Sequence, residues 1–399
     1  MKYVVIIPDG FADRPLGILK GRTPIEAANT PCMDEMARGG QVGLVNNVPR
    51  GMEPGSDVAC MNLMGYDPKV YHTGRAPLEA VSLGVELGDD EIAFRANLVT
   101  VTEGMMVDYA AGHIKSGEAA VLIAALCEEL AGEPLQLHAG TSYRHLMVTA
   151  ESETLKARTT PPHDFTGKPL EGHWPRGKGA GFLRRVMDRS AEVLAGHDVN
   201  EVRVSLGENP ANMIWLWGGG TRPHLPSFRE KWGLNGAMIT AVDLLRSLGM
   251  LTGLDILKVP GATGYLDTDY GAKGAAAVEA LERHDIVVVH IEAPDEAGHG
   301  GKALAKLKSL ERIDEEIVGP LAEMARGRGD VRVLISADHA TPVELRTHTP
   351  EAVPFMLWGE GVEPNGAAAF CEIAAKDTGL REKKGHRLMA RLLGREAAS

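Results

Sequence analysis

Tyr3-Val4-Val5-Ile6-Ile7-Pro8-Asp9 is a short, mostly β-branched run that ends in an acid. The pattern returns at Ile286-Val287-Val288-Val289-His290-Ile291, followed by Asp295, and at Val331-Arg332-Val333-Leu334-Ile335, followed by Asp338. Continuous apolar runs of this length suit strands buried on both faces of a parallel sheet. In open sheets of that kind, ligands bind beyond the carboxyl ends of the strands. Three acids far apart in sequence would converge there. Taken singly, each Asp has a plainer reading as a turn residue or a helix N-cap. A fourth run, 354–358, stops at Gly359 and reads as another strand. Helical patterns lie between these runs, at 31–39, at the Ala-rich 274–283, and at 303–325. The last is amphipathic, with Leu304, Leu307, Leu310, Ile313, Ile317 and Leu321 on one face. The fold class expected is α/β, a mainly parallel sheet flanked by helices.

From about residue 89 to 235 the pattern changes. Alternating segments at 93–101, 135–139, 147–150 and 202–206, and an apolar run at 213–217, read as strands with turns; 182–194 reads as a helix. This stretch is expected to be an inserted α+β cap over the carboxyl edge of the main sheet. The core would then be discontinuous, 1–88 with 236–399. The tail, 381–399, reads as a basic, solvated helix. A chain of 399 residues is long enough for two such parts.

The charge balance, 42 basic against 54 acidic residues for a net −12, argues against bulk nucleic-acid binding or an anionic membrane as partner. A local basic pocket for a small anion remains compatible with it. No apolar stretch reaches membrane-spanning length, and the N-terminal run lacks the marks of a signal peptide. Cys32, Cys60, Cys127 and Cys371 are scattered without zinc-site spacing. They read as reduced, mostly buried thiols of a cytoplasmic protein.

Asp295 and His299 stand four apart, which on a helical turn puts both on one side. Asp338 and His339 are adjacent just past a strand, so they could address two different metals, or one metal from a distorted loop. His348 adds a third imidazole and Asp9 a third carboxylate. Mixed carboxylate and imidazole ligands suit borderline divalent ions such as Mn²⁺ or Zn²⁺, and six ligands are more than one tetrahedral site needs. His290, inside a strand run, reads as a core histidine. Ser56, in Pro54-Gly55-Ser56-Asp57, stands where a turn enters a helix. It is either an N-cap or a nucleophile whose incoming phosphate would meet backbone N–H groups. Arg75 and Arg144, with His113, His163 and Lys168 in polar loops, are the candidates for binding an anionic substrate.

These segments, with Ile7-Pro8-Asp9-Gly10 and Thr73-Gly74-Arg75-Ala76-Pro77-Leu78-Glu79, resemble the archaeal-type cofactor-independent phosphoglycerate mutases of the alkaline phosphatase superfamily. The resemblance runs over nearly the whole chain, with the motifs in the family's order. It implies an alkaline-phosphatase-like core with an inserted cap. It also implies two divalent metals, Mn²⁺ first, with Zn²⁺, Co²⁺ or Mg²⁺ as alternatives, and no 2,3-bisphosphoglycerate. One metal would be held by Asp295, His299 and His348, the other by Asp9, Ser56, Asp338 and His339. Ser56 would take the phosphoryl group from one hydroxyl of phosphoglycerate and return it to the other. A family lysine near the phosphate would be Lys258 or Lys273. The chain departs from the archaeal pattern at His113, where those members carry Arg. A bacterial subgroup sharing Ala-Gly-His-Ile is proposed to phosphorylate homoserine, which makes a homoserine kinase the alternative. A metal-dependent phosphatase would need an open site, and the cap argues against one.

Overall fold

The structure, a computed structural model, describes residues 1–395. In chain order its strands are β1 (Lys2–Pro8), β2 (Gln41–Val45), β3 (Ile92–Thr102), β4 (Met105–Asp108), β5 (Leu135–His138), β6 (Arg144–Thr149), β7 (Met213–Thr221), β8 (Gly236–Ile239), β9 (Asp255–Ile256), β10 (Ile286–Ile291), β11 (Val331–Ser336), β12 (Val353–Gly359) and β13 (Arg381–Glu382). The chain divides into two compact units, 1–72 with 225–399 and 73–224. The divisions fall earlier than the 88/89 and 235/236 expected from the sequence, for a packing reason. Ala76 and Ala80, on the helix Arg75–Ser82, share a cluster with Leu87, Ala93, Leu146 and Val148 of the second unit. Phe228, on the helix Phe228–Trp232, is buried in the core of the first.

The first unit is built on an eight-stranded sheet in the order β13-β2-β12-β11-β1-β10-β8-β9. β9, β8, β10, β1 and β11 run parallel, while β12 is antiparallel to both β11 and β2. β1 and β10 are buried almost throughout, which explains why they read as unbroken apolar runs instead of alternating ones. The register brings the strand ends level. Ile7 pairs with His290 and Ile6 with Ile335, so the residues just beyond β1, β10 and β11 emerge side by side.

The second unit carries an antiparallel sheet in which β3 pairs with β4, β6 and β7, and β5 extends from β6. The helices Ser116–Glu129 and Ala180–Ala195 contribute Leu122, Ile123, Leu126, Leu183, Val186 and Met187 to its own core.

Several expectations need correction. Residues 202–206 are not a strand: 202–205 belong to the helix Asp198–Ser205, and Leu206 is its C-cap. His197 caps that helix through Nδ1, and the buried Asn200 amide bonds the Leu194 and Ala211 carbonyls. The apparent alternation comes from Val202 and Val204, which are exposed. The long helix over 303–325 is interrupted: Ala303–Ile313 leads into a π-helical turn, Asp314–Val318, before Gly319–Arg328. Pro320 has no N–H to give the Glu316 carbonyl, and the Gly319 N–H bonds Asp314, five residues back. In the tail only Arg387–Leu392 is helical, and Leu388, Met389 and Leu392 are buried, so it is not a solvated element; the remainder of that expectation, 396–399, lies outside the described residues. Of the four cysteines only Cys60 is buried, and Cys127 is exposed. No described helix is long and apolar enough to cross a membrane.

Candidate metal centre and anion-binding residues

Beyond the carboxyl ends of β1, β10 and β11 lie three groups of side chains whose ligand atoms fall within 4.8 Å of one another: Asp295, His299 and His348; Asp9, Asp338 and His339; and Asp9, His290 and Glu292. β11 ends at Ser336, Asp338 and His339 lie in the loop beyond it, and both join one group.

In the first group, the short helix Ala293–His299 presents Asp295 and His299 on one side, with His299 Nε2 3.2 Å from Asp295 Oδ2. His299 Nδ1 lies 3.0 Å from the Arg346 carbonyl, which can only accept, so Nδ1 carries a proton and Nε2 faces inward. His348 Nε2 is 2.8 Å from that nitrogen and 3.5 Å from Asp295 Oδ1. In the metal-free chain the hydrogen bond with Asp295 raises the His299 pKa to about 9. Burial opposes ionisation of Asp295, but the hydrogen bonds from His299 and His348 hold it below the usual carboxylate range.

In the second group, His339 Nε2 lies 3.3 Å from Asp338 Oδ2 and 3.5 Å from Asp9 Oδ1. The Gly10 N–H donates to Asp338 Oδ1 at 3.0 Å, and Asn47 donates to the Ala337 and Asp338 carbonyls. Ser56 is the first residue of the helix Ser56–Leu63, and its Oγ stands 3.2 Å from His339 Nε2. Gly55, not Ser56, occupies the N-cap position, so the capping role is not the one that Ser56 plays.

His290 is buried, as a core histidine would be, yet it is not merely core. Its Nε2 is 2.8 Å from Asp9 Oδ2 and 3.6 Å from Glu292 Oε2, and its Nδ1 faces Thr240. Lys273, also buried, donates to the His290 carbonyl at 3.2 Å. Burial lowers the His290 pKa to about 3 and raises that of Glu292 to about 8, Asp295 adding to the latter. Asp9 is raised well above its ordinary value by burial first, then by Asp338, Glu292 and Asp295. Its Oδ1 and Glu292 Oε2 have no hydrogen-bond donor among the described residues. Buried carboxylates that repel one another, each with an oxygen left unpartnered, are stable as anions only beside cations. The donor set of carboxylates, imidazoles and a hydroxyl fits divalent metal.

In the second unit, Arg75 begins the helix Arg75–Ser82, directly after Gly74. Arg144 lies over the Tyr143 ring at 5.0 Å. Rings run from His113 to Tyr143, Tyr109, His163 and Trp217, each 5.3–6.0 Å from the next. Arg95, which the sequence reading missed, closes the series 4.2 Å over Trp217 and bonds Glu79 at 2.9 Å. Burial lowers its pKa to about 10; Glu79 opposes this, and the positive charges of Arg75 and Arg144 reinforce it. Arg75, Arg95 and Asp164 all act on His163, whose pKa burial lowers. Thus Arg75, Arg144 and His163 are brought together. Lys168 stands aside, exposed, with its Nζ 3.5 Å from the Asp164 carbonyl. His113 adopts φ +52°, following Ala111 at +46° and Gly112 at +66°. Asp108 holds that strained turn by accepting from the Ala110 and Gly112 N–H groups.

Residues 37–200 match the family model for 2,3-bisphosphoglycerate-independent phosphoglycerate mutase. A Geobacter sulfurreducens protein described as a probable mutase of that kind is 48% identical over 99% of this chain and 100% of its own length. One of the Methanothermobacter thermautotrophicus enzymes, the form numbered 2, is 48% identical over 98% of this chain and 96% of its own. Among solved structures, a Pyrococcus horikoshii protein superposes with a TM-score of 0.81 at 29% identity, covering 100% of this chain and 98% of its own. The cofactor-independent phosphoglycerate mutase of Thermoplasma acidophilum gives 0.68 at 28%, covering 99% of both. Near-identity of length and about half the residues shared from end to end leave one conclusion: the chain belongs to the 2,3-bisphosphoglycerate-independent phosphoglycerate mutase family.

Proposed function

We propose that this chain interconverts 3-phosphoglycerate and 2-phosphoglycerate through a phosphoserine at Ser56. The observation that carries the reading is Ser56 Oγ, placed at a helix N-terminus and 3.2 Å from His339 beside a buried acidic cluster. A serine in that position is a nucleophile and not a cap. Asp295, His299 and His348 would hold one divalent ion; Asp9, Asp338, His339 and Ser56 would hold a second, with Mn²⁺ the first choice. Bound there, the ions would lower the serine pKa and neutralise the transferring phosphoryl group.

Ser56 Oγ attacks phosphorus, and the P–O bond to the glycerate oxygen breaks. The proton that Ser56 Oγ gives up ends on that oxygen, which leaves as a free hydroxyl. The glycerate then presents its other hydroxyl, whose oxygen attacks the phosphoserine phosphorus; the P–O bond to Ser56 breaks, and the proton of that hydroxyl returns to Ser56 Oγ. No phosphate donor beyond the substrate is consumed, so no bisphosphate is needed. Arg75, Arg144 and His163 take the negative charges of the substrate, Arg95 holding its place behind them through Glu79 and Trp217. Of the two lysines, Lys273 is the one beside the acidic cluster, buried against the His290 carbonyl. The cytoplasm is the compartment proposed, as befits a substrate of central metabolism.

An enolase-coupled assay of Mn²⁺-loaded protein with 3-phosphoglycerate, free of 2,3-bisphosphoglycerate, tests the reading. Turnover that disappears in Ser56→Ala supports it. A folded, metal-loaded protein that leaves 3-phosphoglycerate untouched contradicts it.

A further inference from the structure

Thr341 lies two residues past His339, in the loop after β11, and is fully buried. Its hydroxyl is 2.5 Å from Asp295 Oδ1, in the first ligand group, and 3.3 Å from His339 Nδ1, in the second. A threonine has one hydroxyl proton. The contact with Asp295 is the shorter by far, and a carboxylate oxygen accepts, so that proton goes to Oδ1. The remaining contact then requires His339 to donate from Nδ1. His339 is thereby fixed in the tautomer whose Nε2 carries the lone pair, the nitrogen that faces Asp9, Asp338 and Ser56.

The main chain of Thr341 is held as tightly as its side chain. Its N–H bonds the Ala12 carbonyl at 3.3 Å, and its own carbonyl accepts from Lys306 Nζ at 2.8 Å. Lys306 is itself buried and ion-paired with Asp13 at 2.8 Å, in the loop beyond β1. Two glycines make the room. A Cβ on Gly10 would come to 2.5 Å from both Asp295 Oδ1 and Thr341 Oγ1, and one on Gly298 to 2.5 Å from the Thr341 carbonyl. Loops from three strands are thus packed around a single hydroxyl.

We infer that Thr341 is a positioning residue that couples the two ligand groups, so that an ion bound at one orders the other. The inference rests on the metal reading proposed for this centre. A polar side chain outside the ligand set that orients ligands in this way is worth about 10–100-fold in metal affinity. Here one side chain serves both groups, so its loss should weaken both ions and separate their binding. Thr341→Val keeps the shape and removes the hydroxyl; Thr341→Ser restores it.

The test is titration of metal-stripped protein with Mn²⁺, following free ion by electron paramagnetic resonance, with Co²⁺ absorption as a second readout of ligand geometry. Wild type and Thr341→Ser should take up two ions with positive cooperativity and give the same Co²⁺ spectrum. Thr341→Val should bind both about tenfold or more weakly, without cooperativity, and with an altered spectrum. Two ions bound independently by the wild type would overturn the coupling, whether or not Thr341→Val folds. Unchanged cooperativity in folded Thr341→Val would overturn the role of the hydroxyl. If the wild type binds no pair of ions, the metal reading itself fails, a result distinct from either.

Discussion

Gly10 shows how narrowly single residues confine this centre. Its φ of +58° is a left-handed conformation, and its α-hydrogen points at Asp295 and Thr341. Gly10→Ala combines a backbone cost of about 1 kcal/mol with the displacement of two centre residues. It should lower Mn²⁺ affinity at least about tenfold, read by titration of the stripped protein; wild-type affinity would show that the loop yields at no cost. Proton competition belongs to the same scale. In the metal-free chain His299 keeps its proton up to about pH 9, because Asp295 accepts from it. A cation must displace that proton, so ion affinity should rise with pH between about 7 and 9, approaching tenfold per unit. The same raised pKa predicts the opposite sign for the stripped protein. The protonated His299 stabilises it fully below about pH 6.5, and that contribution is lost as pH rises through about 9. Calorimetric titrations at several pH values read the first effect, and thermal melts of stripped protein the second. A pH-independent affinity over that range would remove His299 from the ligand set.

The helix Ala303–Ile313 contributes more than packing at the scale of elements. Lys306 on that helix sends its Nζ to the Ala12 carbonyl, the Thr341 carbonyl and Asp13, joining the helix to the loops beyond β1 and β11. Lys306→Met leaves Asp13 as an unpaired buried acid, and breaking such a pair costs about 3–5 kcal/mol. A fall in chemical stability of that size is expected; a loss below about 1 kcal/mol would mean that water replaces the ammonium. Neither Lys306 nor Thr341 was readable from the sequence. A lysine on an amphipathic helix and a threonine in a loop are ordinary residues until the fold shows what they face. The strands with trailing acids were legible, because parallel strands buried on both faces leave an unmistakable β-branched run. Asp295 and His299 were legible through helical spacing. His290 is buried as read, but its contact with Asp9 was not legible, because in a strand buried on both sides alternation carries no information about which face a side chain takes. Glu292 and Arg95 carried no signal at all. Residues 202–206 misled because two exposed valines imitate a strand, whereas the helix rests on the His197 cap and the buried Asn200.

At the scale of the whole molecule, the two units should respond to different perturbations. The acidic cluster lies in the first unit, so chelation should increase amide exchange there and spare the second, whose core is its own. Ions present at about 100 times their Kd contribute about 2.7 kcal/mol each, which is the loss to look for. The second unit should instead be sensitive to acid through His145. That ring is buried on β6, accepts from the Gly140 N–H at Nδ1, and has its pKa lowered from 6.5 to about 4 by burial. Unfolded chains take up the proton below about pH 6.5 and the folded unit does not, so stability falls from there to about pH 4, by roughly 3 kcal/mol. His145→Gln should flatten that slope in acid melts; an unchanged slope would assign it to other groups. The phosphoryl transfer proposed through Ser56 is open to direct observation, by rapid quenching of Mn²⁺-loaded protein with 3-phosphoglycerate and peptide mass spectrometry of the quenched samples. A phosphoryl group should form on Ser56 within a turnover and return to the 2-position of glycerate. Turnover to 2-phosphoglycerate undiminished in Ser56→Ala, with no phosphoserine at any time, would contradict that route.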